Sequence, residues 1–217
     1  PMSLPLRWQT EAMEMYAYAP STETIRQTVY EELKDANLLK PTTEALVAKG
    51  WERRQLPEGP LQLHALLMME GDLTAGELPV SVEWLDELAQ ESRACYIEPG
   101  LWIAAEQEQE YEQALSGRDI EAGMHIVRRM LYYRGGKTAE KIQERYFLSS
   151  RKIEEILESL LAAQSIVEDE GIYYHGKLYD RAREYSIRTL RLQTVTQPFS
   201  KFAHYLAGKV DIHAPAE

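Results

Sequence analysis

The chain has a single cysteine, Cys95, among 217 residues. One cysteine excludes an intramolecular disulfide and is typical of a protein from a reducing compartment. Because Cys95 falls in a predicted strand, we expect it to pack as a small apolar residue rather than to act as a nucleophile. No apolar run approaches the roughly 20 residues that a membrane-spanning helix needs, and no signal peptide opens the chain. These absences predict a cytoplasmic protein without membrane contact.

Motifs that carry catalysis are also missing from the sequence. There is no Gly-x-x-x-x-Gly-Lys-Ser/Thr segment to cradle the phosphates of ATP, and no Gly-x-Ser-x-Gly segment to present a nucleophilic serine. The histidines are too far apart in sequence to form a recognisable metal motif, and no second cysteine assists them; they are His64, His125, His175, His204 and His213. We therefore predict no catalytic residue, no cofactor site and no metal site in this chain.

The sequence does contain an internal repeat. The segment Gly71-Asp72-Leu73-Thr74 is followed 64 residues later by Gly135-Gly136-Lys137-Thr138. A second pair of similar segments surrounds Gly100 and Gly171, 71 residues apart. Two blocks that recur in the same order, with offsets that differ by a seven-residue insertion, indicate a duplicated module.

The second copy shows its elements more clearly. We predict a helix from Asp119, as N-cap, to about Tyr133, a short helix after the N-cap Thr138, and a third helix capped by Ser149 or Ser150. A hairpin around Gly171 follows. The third helix has apolar residues at helical spacing, which predicts a buried stripe of Ile153, Ile156, Leu157, Leu160 and Leu161.

The first copy follows the same plan. We predict helices over 61–70 and 81–91, a very short helix capped by Thr74 between them, and a hairpin over 94–104. Three helices followed by a hairpin are typical of a winged-helix domain, although the same elements also form a generic small core. We predict a mainly α fold with small β-hairpins (α+β), made of tandem winged-helix modules with flanking helices.

This interpretation divides the chain into four parts. Residues 1–60 form a helical N-terminal segment, 61–117 the first module, 118–176 the second module, and 177–217 basic C-terminal helices with a frayed tail. Within the flanking parts we predict helices over 11–18, 22–36, 41–50, 178–193 and 198–208, and an acidic helix over 107–115. On the helix over 178–193 we expect an apolar face of Leu178, Ala182, Tyr185 and Leu192.

Charge is distributed unevenly along the chain. The formal net charge is −11, which argues against a general nucleic-acid binder. Residues 118–209, however, contain 16 Lys and Arg against 12 Asp and Glu, whereas residues 1–117 contain 8 against 21. Because attraction to phosphate is screened within about 10 Å at 0.1 M salt, the local charge matters more than the total. The C-terminal half is therefore the part that we expect to bind DNA.

Two groups of basic residues could form that surface. One group lies on the first two helices of the second copy, and the other forms a stripe on the helix after the hairpin of that copy. Phosphate contacts there would give sequence-independent, salt-sensitive binding, but the same side chains could instead pair with the acidic half of the chain. The candidate residues are Arg128, Arg129, Arg134, Lys137, Lys141, Arg145, Lys177, Arg181, Arg188 and Arg191.

The third helix of each module is a poor reader of the major groove. Groove reading needs Arg, Lys, Asn or Gln on the exposed face. The second copy has Arg151 and Lys152 at the start of this helix, but glutamates follow, and the first copy is acidic throughout. The acidic residues are Glu83, Asp86, Glu87, Glu91, Glu154, Glu155 and Glu158. We therefore expect contact with the DNA backbone rather than base readout.

Several short segments resemble the C-terminal part of Lhr-like large helicases, which are superfamily 2 DEAD/DEAH-box ATP-dependent DNA helicases. One is Trp102-Ile103-Ala104-Ala105-Glu106, and another is Gly71-Asp72-Leu73-Thr74 before Glu77-Leu78. A third runs from Ile166 through the second hairpin into the basic helix, and Gln197-Pro198-Phe199 is similar to the start of the next helix. The resemblance covers about residues 60–207, whereas residues 1–60 match no segment of the family.

The resemblance implies an accessory region that holds or braces DNA behind a motor and has no ATPase activity alone. ATP and Mg²⁺ would be bound by two upstream RecA-like domains of the same polypeptide, and the parent protein would be a helicase with a role in DNA repair. Pro1 stands before Met2, which fits a piece of a longer protein. The family's nucleic-acid contacts map by local similarity onto Trp102, Arg181, Arg188 and Arg191.

Three other functions fit the same residues. The acidic helices could dock a basic protein partner or support self-association, with the modules as scaffold. A free-standing winged-helix regulator would bind specific duplex sequences, usually as a dimer. Bacterial glycosylases that remove modified bases also have tandem winged helices and use a Gln-x-Gln motif. Gln107-Glu108-Gln109 has that form, but it lies in a Glu- and Gln-rich helix where chance explains it better.

Overall fold

The computed structural model describes residues 40–77 and 82–193. This part of the chain is mainly helical, with eight helices and two small antiparallel hairpins in an α+β arrangement. The chain divides into two compact units, Pro1–Lys40 and Pro41–Glu217, and nearly all described residues belong to the second. The helices predicted over 11–18, 22–36 and 198–208 lie outside the described residues.

The first module begins after helix α1, Thr43–Lys49. It contains α2 (Pro60–Glu70), a 3₁₀ turn (Ala75–Glu77), α3 (Val82–Gln90) and a hairpin of β1 (Ala94–Ile97) and β2 (Leu101–Ala104). A second 3₁₀ turn, Ala105–Gln107, leads into α4 (Glu108–Leu115). The Thr74 backbone N–H donates to the Glu77 carboxylate, 3.0 Å away, which satisfies an amide at the start of the 3₁₀ turn.

The second module has the same order of elements. It contains α5 (Ile120–Arg134), α6 (Ala139–Tyr146), α7 (Ser150–Ala162), β3 (Ile166–Asp169) and β4 (Ile172–His175), and α8 (Gly176–Gln193) follows directly. The predicted N-caps Asp119 and Thr138 are confirmed, and Ser149 rather than Ser150 caps α7; each side-chain oxygen accepts from a backbone amide of the first turn.

The repeated segments occupy equivalent positions in the two modules. In the first, Leu73 forms an antiparallel bridge with Trp102, and in the second, Lys137 forms the corresponding bridge with Tyr173. Each bridge adds one residue from the loop after the module's first helix to the edge of its hairpin. The duplication seen in the sequence is therefore also a duplication of backbone pairing.

The apolar core is shared between the modules. One cluster is formed by α2, α3 and the ends of the first hairpin. The larger cluster is built on α5, α6 and α7, and it also takes in Leu101 and Ile103 from β2 and Tyr111 and Ala114 from α4. Residues of the first module thus contribute to the core of the second, which places the two modules in a fixed arrangement.

Two predicted apolar faces need correction. Leu161 was expected in the buried stripe of α7 but is 36% exposed, because the stripe has rotated away by the last turn of the helix. On α8, Leu178 and Ala182 are buried as expected, whereas Tyr185 and Leu192 are exposed. The face of α8 that packs inward also contains Tyr179, Arg183 and Ser186, and Ser186 Oγ accepts from the Thr42 backbone N–H at 2.9 Å.

Two further observations concern the described residues. None of their helices has the length and apolarity needed to cross a membrane. No three of their His, Cys, Asp or Glu side chains come together in a way that could hold a metal ion.

Candidate nucleic-acid interface

Two of the arginines predicted to bind nucleic acid lie inside the structure. Arg134 ends α5 and Arg145 is near the end of α6, and their side chains are 8% and 12% exposed. Both contact the first module: Arg134 Nε lies 3.0 Å from the Glu77 carboxylate, and Arg145 donates two hydrogen bonds of 2.8 Å to the same carboxylate. The charges of these two arginines are therefore paired with carboxylates of the protein itself.

Asp72 is the centre of this arrangement. Its side chain is fully buried and accepts hydrogen bonds from Arg145 Nε, from Tyr111 Oη at 2.7 Å and from Tyr146 Oη at 3.0 Å. Nearby, Arg54 lies 3.1 Å from the buried Glu70 carboxylate. We call the six charged residues the carboxylate–arginine cluster; it comprises Glu70, Asp72, Glu77, Arg54, Arg134 and Arg145, three of each sign.

The pKa values of two glutamates reflect this cluster. Burial by itself would raise the pKa of Glu77, but the hydrogen bonds from Arg145 and the charges of Arg134 and Arg145 outweigh burial and lower it to about 2. For Glu70 burial dominates, and its pKa is raised despite Arg54 and Arg134. Glu77 is thus held firmly ionised, which keeps both of its arginine partners engaged.

The lysines of the second module have different environments. Lys141 is exposed on α6, and no ion pair to it occurs among the described residues. Lys137 is half-buried at its bridge to Tyr173; burial, followed by the charge of Lys141, lowers its pKa. Lys141 is consequently available to a phosphate, whereas Lys137 is available only in part.

Trp102 lies on the first hairpin, away from these lysines. Its backbone forms the bridge to Leu73, and its ring packs against the core of the first module. The ring also contacts Tyr96 edge to face, with the centroids 5.5 Å apart. The predicted role of Trp102 in nucleic-acid contact remains a prediction, and its observed contacts stabilise the hairpin.

The basic stripe on α8 is exposed, as its spacing predicted. Lys177, Arg188 and Arg191 have no ion pair to another described residue. Arg181 is different, because its guanidinium lies 2.8 Å from the Glu52 carboxylate. This pair joins α8 to the loop after α1 and is a further case in which a basic residue of the C-terminal half meets the acidic half of the chain.

The structure contains a cleft that was not predicted from the sequence. It has a volume of about 630 Å³ and lies between the C-terminal two-thirds of α5, the turn before β3, the end of β4 and the first turn of α8, with one residue from α2. Its lining residues are Met69, His125, Arg128, Arg129, Tyr132, Tyr133, Gln164, Ser165, His175 and Lys177. Among the described residues, no Asp or Glu lines it.

Charge at the cleft is positive. Arg128 and Lys177 are exposed and lack an ion-pair partner in the described part of the chain. Arg129 and His125 both contact Glu110, which neutralises the guanidinium of Arg129. The first turn of α8 carries no acidic residue, so the partial positive charge of this helix end adds to that of Lys177. Two uncompensated cations in a carboxylate-free cleft can bind an anion.

His175 is neutral at pH 7. Its ring is partly buried; burial and then the nearby charges of Arg128 and Lys177 lower its pKa to about 4. Its Nδ1 is buried without a hydrogen-bond partner among the described residues. Arg128, His175 and Lys177 all line the cleft, so these three side chains belong to one site.

Sequence reasoning found part of this site. It placed Arg128, Arg129 and Lys177 on basic surfaces but missed the tyrosines and His175. A usable signal was present, because Arg128 and Tyr132, like Arg129 and Tyr133, are four residues apart on α5 and so share a face. No family model matches the chain, and no significant match to it exists among the curated proteins.

Proposed function

We propose that the chain is an accessory nucleic-acid-binding and scaffold region of an ATP-dependent DNA helicase, built on two winged-helix modules. It binds the sugar-phosphate backbone of DNA in a sequence-independent way and is not catalytic by itself. The observation that carries this proposal is the carboxylate-free cleft with its two unpaired cations, Arg128 and Lys177, in a chain of net charge −11.

The assignment to winged helices rests on element order and pairing. Each module has three helical elements followed by a hairpin, and in each the loop after the first helix pairs with the hairpin edge through Leu73 or Lys137. In a winged helix the hairpin that follows the third helix is the wing, and here the paired loop adds one residue to its edge. The same helix-turn-helix arrangement is common among DNA-binding proteins, which supports the choice of ligand.

Backbone binding is favoured over base readout by the exposed faces of the third helices. On α7, Glu154, Glu155 and Glu158 are exposed, and on α3, Asp86 and Glu87 are exposed. Carboxylates on these faces would repel phosphates on both sides of a major groove. By contrast, phosphate contacts from Arg and Lys outside these helices position a protein on DNA without reading the sequence.

The scaffold part of the proposal rests on the carboxylate–arginine cluster. Asp72 and Glu77 belong to the first module, and Arg134 and Arg145 belong to the second. These contacts fix the modules against each other, so that the region can brace a neighbouring domain as one body. In the resembling helicases that neighbour is a pair of RecA-like domains, which bind ATP and Mg²⁺, and we extend this arrangement to the parent protein here.

Binding of labelled oligonucleotides tests the proposal. We expect the purified chain to bind single-stranded and duplex DNA of unrelated sequences similarly, and more weakly at about 200 mM than at about 50 mM salt. Arg128→Gln and Lys177→Gln should each reduce the slope of log affinity against log salt concentration by about 1. Arg151→Gln removes the same charge from exposed α7, outside the cleft, and is the matched control. Absence of binding at about 50 mM salt would overturn the proposal.

A protein-interaction function is the second candidate, and the outer face of α2 favours it. This helix is apolar on nearly every side: Leu63 and Leu67 are buried in the core, while Leu61 and Met69 are 67% and 60% exposed. Leu56 and Met69 both line a groove of about 1060 Å³. Exposed apolar surface of this kind is typical of contact sites between proteins.

Sedimentation analysis separates this candidate from the first. A self-associating chain would show a concentration-dependent mass that Leu61→Glu, outside the cleft, abolishes. A monomer at all concentrations, with DNA binding intact, would favour the nucleic-acid function. A free-standing regulator would differ from both, because it would bind one duplex sequence at least about a thousandfold more tightly than unrelated DNA, the low end of specific binding.

A further inference from the structure

One wall of the cleft is a cluster of aromatic rings. The Tyr132 ring contacts the Tyr133 ring edge to face, with centroids 4.9 Å apart, and contacts the His175 ring in the same way at 4.8 Å. Met69 of α2 lines the cleft beside them. Aromatic rings and a thioether form a surface on which a planar heterocycle can stack.

The cationic side chains lie next to this wall. Arg128 is one helical turn before Tyr132 on α5, and Lys177 is the second residue of α8, two residues after His175. Neither cation is neutralised by a carboxylate of the described residues, and both line the same cleft as the aromatic rings. The cleft therefore presents an apolar, π-rich surface and an anion-binding group side by side.

We propose that the cleft binds one nucleotide unit, with its phosphate against Arg128 and Lys177 and its base against Tyr132 and Tyr133. This inference rests on the proposed function and names the unit that is recognised. The cleft volume of about 630 Å³ lies in the range typical of small-molecule sites. Inside a duplex the face of a base is covered by its neighbours, so the unit belongs to a single strand, to a strand end or to a free nucleotide.

Sequence tolerance follows from this geometry. Every base has a π face, and stacking on an aromatic side chain does not depend on the hydrogen-bonding edge of the base. We therefore expect all four nucleotides to bind with similar affinity. Removal of either half of the ligand should lower the affinity, because a nucleoside lacks the phosphate anion and inorganic phosphate lacks the base.

Nuclear magnetic resonance titration of the full chain tests the inference. We expect a nucleoside 5′-monophosphate to shift the amide signals of Arg128, Tyr133 and Lys177 in a saturable way, and the nucleoside or inorganic phosphate alone to bind at least tenfold more weakly. Tyr133→Leu, which keeps an apolar side chain, should weaken nucleotide binding about tenfold. Tyr96→Leu, on the first hairpin, and Arg151→Gln are the matched controls and should leave it unchanged.

Competition with a labelled single strand distinguishes the source of the nucleotide. If the monophosphate displaces the strand, the site serves nucleotides of a strand. If the monophosphate binds at these residues without displacing a bound strand, the site serves free nucleotides. The cleft would then no longer support the proposed binding of nucleic acid.

Two other results overturn the inference. In the first, strand binding depends on Arg128 and Lys177 but not on Tyr133, and the monophosphate shifts no amide signal. The cleft would then contact phosphate only, and the proposed function would survive. Binding of neither strand nor monophosphate overturns both. Urea unfolding of each variant identifies a loss of stability. If Tyr133→Leu is unstable, nucleotide binding is measured instead with Lys177→Gln, which changes an exposed side chain.

Discussion

Asp72 and Arg145 lie 73 residues apart in the sequence and form an ion pair in the interior of the protein. Asp72 belongs to the first copy of the repeat, and Arg145 belongs to the second. The equivalent position to Asp72 in the second copy is Gly136, which has no side chain. The duplication has thus become asymmetric where the two modules meet, and a charged contact specific to one copy joins them.

We expect Asp72→Asn to lower the free energy of unfolding by about 1–3 kcal/mol, because the substitution removes the buried charge beside Arg145 Nε, while Glu77 remains as the other partner of Arg145. The measurement is urea unfolding at neutral pH. Asp86→Asn removes the same charge from an exposed position on α3 and should change the free energy by less than about 0.5 kcal/mol. Equal, small effects of both substitutions would show that the buried pair contributes little.

Arg145→Lys should also be destabilising, although the charge is kept. Arg145 places two nitrogens 2.8 Å from the two carboxylate oxygens of Glu77, and a third contacts Asp72. An ammonium group cannot reproduce this planar geometry, so we expect a loss of about 2 kcal/mol. Arg151→Lys, on the surface of α7, should be neutral. Thermal unfolding of both variants checks the difference, and an unchanged midpoint for Arg145→Lys would contradict it.

Gly136→Ala tests the close approach of the repeat segment to the second hairpin. A Cβ atom at this position would overlap Cε1 of Tyr174 and lie 2.7 Å from Cγ2 of Ile172, so these side chains or the hairpin that carries them would have to move. We expect a loss of about 1–3 kcal/mol from this overpacking. Gly76→Ala meets no atom within 4 Å and provides the comparison. Urea unfolding of the two variants should rank them in this order, and the reverse order would exclude overpacking as the cause.

His175 should make the protein less stable as the pH falls. Because its pKa is about 4 when folded and about 6.5 when unfolded, the unfolded chain binds the proton more tightly between these values. Its contribution is complete above pH 6.5 and is lost as the pH decreases toward 4. His175→Gln, which does not titrate, should reduce the loss of stability in this window by on the order of 1 kcal/mol, after allowance for partial exposure. Parallel pH profiles of the free energy of unfolding for the two proteins would exclude this role.

Local structure was predictable from the sequence wherever short-range chemistry determines it. The N-caps Asp119, Thr138 and Ser149 each bond to an amide two or three residues away, so the start of a helix is encoded in a few neighbouring positions. The apolar periodicity of α7 likewise identified most of its buried face. The prediction for Leu161 was wrong because this residue lies at the margin of the buried stripe by the last turn of the helix, and helical spacing does not distinguish burial from exposure there.

The sequence by itself determined the repeat, the order of helices and hairpins and the uneven charge, because each depends on composition or on spacing along the chain. Only the tertiary structure decided which basic residues remain available to a ligand. Arg134, Arg145 and Arg181 are turned toward carboxylates that are far away in the sequence, whereas Arg128 and Lys177 are left unpaired among the described residues beside two tyrosines. The physical reason is that an ion pair needs its partners within about 4 Å, and packing between modules, rather than spacing along the chain, sets that distance.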